Sequence, residues 1–292
     1  MSASLSLRAP TPLEYFAALV ADEQSLNLLE AAITIAQDEF PQLDVQQVLA
    51  EVDTLAQRLK RRLPADAAAA YRLRALNQYF HQELGFAGNV NNYYEAGNSF
   101  VHHVLATRRG IPITLAVIYM ELAAQIGLRV QGVAFPGHFL LKLRLPQGEV
   151  VLDPFSGRSL TRNALEEFLL PYRHGAGLPD DQELPMELFL QAASPRQVLA
   201  RMLRNLKEIH RSGQDWPRLL QVQQRLVTLL PGEAAECRDR AMTWFALGDL
   251  QAAAVDLAHY LAEVPDAPDR QALQVMLHEW RAKSARGGPT LH

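Results

Sequence analysis

One stretch limits the possible folds more than any other. Residues 111–128 are the most apolar part of the chain, and Gly110-Ile-Pro-Ile-Thr-Leu opens a helix there that ends at Gly127. Three short β-like runs follow, Arg129–Phe135, His138–Leu145 and Val150–Asp153, with Pro146-Gln-Gly148 as a turn between the last two. Pro112 suits the first turn of a helix, where its missing N–H costs nothing. Glu121 and Gln125 interrupt the apolar run, so it reads as a buried helix and not as a membrane span. A helix feeding consecutive strands through tight turns predicts an α+β domain with a small antiparallel sheet.

What precedes this stretch is helical in pattern. Thr11-Pro12-Leu13-Glu14 carries a capping box, and apolar residues recur at helical spacing through 26–36, 45–63 and 67–84, punctuated by Pro41 and Pro64. Residues 85–98 are dense in Gly and Asn, a long loop of the kind that is functional or tightly packed. Ser99 is placed to cap a short helix through Leu105, and Arg108-Arg109-Gly110 to end it.

A second region begins after 171–194, whose three prolines and two glycines read as a linker holding one short helix. Gly213 and Gly248 lie 35 positions apart, close to a tetratricopeptide period, and each stands between two helical segments. Trp244, Ala253 and Pro265 fit that pattern, whereas the first repeat places Arg218 in the small-residue position. Two such repeats call for a capping helix, expected at 270–283. The expected organisation is a core with N-terminal helices at 10–170, a linker at 171–194, tetratricopeptide-like repeats at 195–285 and a disordered tail at 286–292.

Composition narrows the chemistry. With 28 Lys+Arg against 32 Asp+Glu among 292 residues, the net charge of −4 argues against a broadly basic nucleic-acid binder. Glu14, Asp22 and Glu23 break up any apolar leader, and a lone free thiol suits a reducing compartment, so a cytoplasmic protein without a membrane anchor is expected. Cys237 is the single cysteine, which excludes an internal disulfide and a multi-cysteine zinc site. Any thiol chemistry would fall to it alone. His102 and His103 project about 100° apart on a helix and cannot easily share a metal, so neither a metal nor another cofactor is expected.

The densest cluster of candidate groups lies between Asn98 and Gly157. A histidine, His138, and a carboxylate, Asp153, fall on successive strand segments and can pair as base and orienter. Asn98, Pro112, Phe135 and Glu95 are expected to line a cleft beside them. Thr114, at the start of the apolar helix, is the one nearby hydroxyl able to stand in as a nucleophile, although hydroxyls at helix starts more often bond backbone groups.

Nucleophile helix, then strand with His, then strand with Asp-Pro is an order that resembles the transglutaminase-like core, a papain-like fold. More closely, Asn98-Ser99, Arg109-Gly-Ile-Pro-Ile-Thr-Leu115, Gly132-Val-Ala-Phe-Pro-Gly-His-Phe-Leu140 and Asp153-Pro-Phe resemble the SirB-type transglutaminase-like family of bacteria, whose members commonly carry tetratricopeptide repeats behind the core. The resemblance implies a nucleophilic cysteine near Pro112, where this chain has none, with His138 and Asp153 as the second and third members of the triad. It therefore implies a pseudoenzyme: a degenerate core reused for recognition, with a protein or peptide partner held by the repeats. The alternative is a cysteine-independent amide hydrolase or acyl transferase using His138 and Asp153 with Thr114 or water.

Overall fold

A computed structural model describes residues 9–175 and 185–286. The chain forms two compact units, one of residues 22–202 and one that joins the first helix to everything from 203 onward. That first helix, α1 (Pro12–Val20), starts on the expected capping box: the Thr11 amide donates to Glu14 at 2.7 Å and the Glu14 amide returns to the Thr11 hydroxyl at 3.2 Å.

The 22–202 unit opens with α2 (Leu28–Thr34) and α3 (Val45–Lys60). Asn27 caps the first, and Asp44 caps the second by accepting from both Gln46 and Gln47. In α3 the buried residues Val45, Val48, Val52, Leu55, Ala56 and Leu59 form one apolar face, as the spacing predicts. Helix α4 (Ala69–Asn77) runs on into a π-helical turn over Gln78–Glu83, a wider coil common at functional sites. The Gly/Asn-rich loop contributes β1 (Ala87–Gly88), which pairs in parallel with β2 (Arg109–Gly110).

Between those strands lies α5 (Val101–Thr107). Its N-cap is Phe100, without a side-chain bond, and the Ser99 hydroxyl is buried with no hydrogen-bond partner, so Ser99 is not the cap expected of it. The left-handed residue that ends α5 is Arg108 (φ 58°) and not Gly110; its guanidinium lies 4.7 Å from the centre of the Phe86 ring.

The apolar run forms α6 (Pro112–Gln125), buried on nearly every face from Ile113 to Tyr119 and touching α2, α3 and α5 as well as the sheet. That sheet is a four-stranded antiparallel meander in chain order: β3 (Gln131–Val133), β4 (Leu140–Leu145), β5 (Gly148–Leu152) and β6 (Ser159–Leu160). Gly132 faces Leu141, and Leu141 faces Leu152. Strands β3 and β4 are shorter than their sequence pattern suggests, whereas β5 begins two residues earlier and ends one residue earlier than expected. Residues 134–139 form a turn, so His138 sits in the β3–β4 connection and Asp153 just beyond β5. Helix α7 (Arg162–Gly175) passes through Pro171, where the sequence pattern places the start of a linker, and α8 (Met186–Phe189) is the short helix expected within it. Residues 176–184 lie outside the described residues, as does the expected disordered tail beyond Arg286.

Helix α9 (Pro195–Ser212) begins in this unit and ends in the other. There it is followed by α10 (Trp216–Leu229), α11 (Ala234–Ala246), α12 (Leu250–Glu263) and α13 (Arg270–Arg286), with α10, α11, α12 and α13 each packed on the next. Helix α1 joins this stack: Arg225 of α10 is fully buried with its guanidinium 4.9 Å from the Phe16 ring centre. The repeat is real but offset from the glycines. Asp215 and Asp249, 34 positions apart, both cap second helices, and the left-handed residues before them are Gln214 (φ 54°) and Gly248 (φ 86°). In this register buried Leu219 matches buried Ala253, and Arg218 is an exposed partner of its own cap.

Candidate functional site

The site is organised by a backbone oxygen. Phe135 is fully buried and packs against Phe189, which fixes its carbonyl; that oxygen accepts from the His138 amide at 3.1 Å and from Arg201 Nη1 at 3.3 Å. The turn requires Gly137, whose φ of +68° is left-handed and whose Cα faces the Tyr172 hydroxyl; an added Cβ would collide with that oxygen. Phe135 is thus an anchor of the turn within the core and not a wall of a cleft.

The imidazole of His138 stacks on Phe168 of α7, with ring centres 4.1 Å apart and planes 14° from parallel. Burial pushes its pKa below the ordinary histidine value. The Asp153 carboxylate pulls the other way, and Arg201 adds to the depression. Burial thus favours the neutral imidazole.

Asp153 does not orient that base through a hydrogen bond. Its carboxylate accepts from the Phe155 amide at 2.9 Å and from the Ser156 hydroxyl at 2.6 Å, closing its own turn, and no hydrogen bond joins it to His138 among the described residues. Asp153-Pro-Phe, which in sequence looks like a triad aspartate, is locally an Asx turn.

Thr114 lies in the first turn of α6 with no exposed surface, and its hydroxyl has no hydrogen-bond partner among the described residues. Pro112 is the first residue of the helix, preceded by Ile111 with no side-chain cap. Asn98 is buried and occupied: its amide donates to the carbonyls of Asn92 (2.6 Å) and Tyr93 (3.2 Å), and its oxygen accepts from Asn89. It pins the loop. Glu95 is exposed and contributes backbone bonds to the same loop. Asn98 and Glu95 thus shape a loop, and none of their hydrogen bonds reaches His138.

Sequence reasoning misses a second histidine. His81 lies in the π turn, its Nδ1 3.0 Å from the Phe86 carbonyl oxygen and its ring against Gly157 of the Asp153 turn. Burial lowers its pKa and Asp153 opposes this, so one carboxylate influences both His81 and His138. A π turn leaves no mark in apolar spacing, and Phe168, Tyr172 and Arg201 are distant in sequence from any motif. His102 meets Phe40 edge-on, while His103 lies beside Gly97. Among the described residues no three His, Cys, Asp or Glu side chains gather in a way that could hold a metal ion. Cys237 is buried in α11, and desolvation raises its thiol pKa, which disfavours the thiolate.

In the second unit an open groove of about 410 Å³ lies on α11 and α12. Trp244, Asp249, Gln251 and the 64% exposed Val255 line it, and Arg240 and Asp256 close one part with two hydrogen bonds of 2.7 Å.

The fold and the residual His–Asp pair define a class, a transglutaminase-like core followed by helical repeats. Residues 46–204 match the model of the transglutaminase-like superfamily, and residues 206–278 match that of the tetratricopeptide repeat. The chain belongs to the transglutaminase-like superfamily and, within it, to the UPF0162 proteins, the SirB-type family. It is 36% identical over 245 residues to a UPF0162 protein of Xylella fastidiosa strain 9a5c, covering 84% of this chain and 86% of that one. A UPF0162 protein of Pseudomonas aeruginosa is 31% identical over 259 residues, covering 89% and 93%. The Escherichia coli K12 member, YchA, is 24% identical over 242 residues, covering 82% and 86%. No solved structure matches the chain. Among the described residues no helix is long and apolar enough to cross a membrane.

Proposed function

We propose that this protein is a non-catalytic binding or regulatory protein of the cytoplasm, in which a transglutaminase-like core has lost its nucleophile and the repeat helices receive a segment of a partner protein. One observation carries the reading: the three positions of a would-be triad are not coupled. Thr114 is sealed, Asp153 is spent on its own turn, and His138 has neither as a hydrogen-bond partner. A general base needs its nucleophile within about 3.2 Å, directly or through one water. The groove combines Trp244, Ala252 and Val255 with the charged and polar Arg240, Asp249, Gln251 and Asp256, a mixed lining that suits a peptide segment.

The test uses the full-length protein with Val255→Glu or Trp244→Ala, compared with wild type and His138→Ala. Quantitative co-purification should lose its partners on either groove substitution and keep them on His138→Ala, and wild type should cleave peptide amides no faster than buffer. Amide hydrolysis that disappears in His138→Ala would establish the cysteine-independent hydrolase instead.

A further inference from the structure

Arg201 is drawn inward in the 22–202 unit with few protein acceptors around it. It is half-buried, its single hydrogen bond goes to the Phe135 carbonyl through Nη1, and no carboxylate pairs with it among the described residues. Other half-buried arginines are better met: in the same unit Arg196 pairs with Glu23 and Arg72 gives three hydrogen bonds to backbone carbonyls, and in the other Arg240 pairs with Asp256. A guanidinium has five N–H donors, so most of Arg201's remain unassigned to protein acceptors. Desolvating a cation without a counter-charge is unfavourable, and a bound anion would offset that cost.

The surroundings are specific. Arg201 and His138 share the Phe135 carbonyl, Tyr172 places its hydroxyl on Gly137 of the same turn, and Phe168, one helical turn before Tyr172, stacks on His138. Tyr93 and Tyr172 lie near enough to Arg201 for their phenol groups to bear on it, and no carboxylate does so among the described residues. Both tyrosines are more than 40% exposed, so the cluster opens to solvent. We propose that Arg201, His138 and Tyr172 form a binding site for a carboxylate group carried next to an aromatic or apolar moiety, such as the C-terminus of a peptide. One cation beside phenol donors and an imidazole matches a monoanion in charge; a phosphate dianion would be left half-compensated. The planar guanidinium suits the two oxygens of a carboxylate. The aromatic rings supply the adjoining apolar surface.

Full-length protein would be titrated with acetyl-Ala-Ala-Phe, its C-terminal amide, 3-phenylpropionate and inorganic phosphate. Calorimetry and the His138 imidazole C–H resonance are the two readouts. The free-acid peptide should bind and move that resonance, and the amide should bind at least about tenfold more weakly, since a charge-assisted bidentate pair is lost. Equal binding by 3-phenylpropionate would assign the site to free aromatic acids; weaker binding would assign it to peptide termini. Arg201→Gln should reduce affinity for the acid at least about tenfold at an unchanged melting temperature. If that variant does not fold, Arg201→Lys keeps the charge and loses the fork, and should bind severalfold more weakly. The proposal is overturned if acid and amide bind alike, if phosphate binds more tightly than the carboxylate, or if the foldable Arg201 variant retains full affinity.

Discussion

The two units treat buried polarity in opposite ways. In the helical unit, charge is buried and answered by charge: Glu236, 4% exposed, receives both Arg204 and Lys207, Asp256 receives Arg240, and Arg238 reaches Asp269. In the 22–202 unit the fully buried polar side chains among the described residues are neutral, Thr34, Asn98, Ser99 and Thr114, and ion pairs such as Arg196 with Glu23 are only partly buried. Its half-buried histidines are kept below their ordinary pKa. Repeat helices meet face to face along their length, which gives long side chains room to pair across the seam. A core wound around one all-apolar helix leaves less room for such pairs. The difference suggests where each unit is sensitive: one to loss of a counter-ion, the other to protons.

The sharpest way to break this comparison is Asp256→Ala. It leaves the Arg240 guanidinium unanswered, and removing one partner of a buried pair costs about 3–5 kcal/mol. Denaturant unfolding of the full chain should show that loss; a change below about 1 kcal/mol would mean that the ion pairs are ornamental.

Acidification is the next test. Burial lowers the pKa of His81, His102 and His138 from the ordinary 6.5. The unfolded chain thus binds protons that the folded one refuses, and stability falls as pH drops through about 6.5 toward the folded values. A tenfold weaker hold on the proton in the folded state corresponds to about 1.4 kcal/mol, and to less where the imidazole is partly exposed to solvent. The melting temperature should decline between about pH 7 and 5, and His81→Gln should flatten the decline; a flat profile in the wild type would sink this account.

Thr114→Val should have the smallest effect, and of opposite sign. The swap keeps the shape and removes an unpartnered buried hydroxyl, so stability should rise by up to about 1 kcal/mol. A loss larger than about 1 kcal/mol would show that the hydroxyl has a partner in solution.

Legibility in the sequence follows the range of the interactions. The capping box at Thr11, the apolar face of α3 and the buried helix α6 depend on neighbours a few positions away, and all can be read from the letters. The repeat is legible in period but its register shifts by one residue, because the glycine at 213 suggests the left-handed position that Gln214 takes. His138 and Asp153 stand out in the sequence as neighbours of the β-meander, and their charges do interact. Their uncoupling is hidden there, because an Asx turn and a triad aspartate use the same residue. Phe168 and Arg201 reach the His138 turn from two separate segments and His81 reaches the Asp153 turn from a third, and no motif spans such distances.

The Phe135 carbonyl has a consequence for how this site can change over generations. It holds His138 and Arg201 in one arrangement, yet it belongs to the main chain, and every residue offers the same oxygen. No substitution at 135 can delete the acceptor; it can only be displaced by altering the ring that anchors it, the glycine that shapes the turn, or the arginine that reaches it. The organising atom is therefore inherited indirectly, through the residues at 137, 189 and 201 that hold it in place.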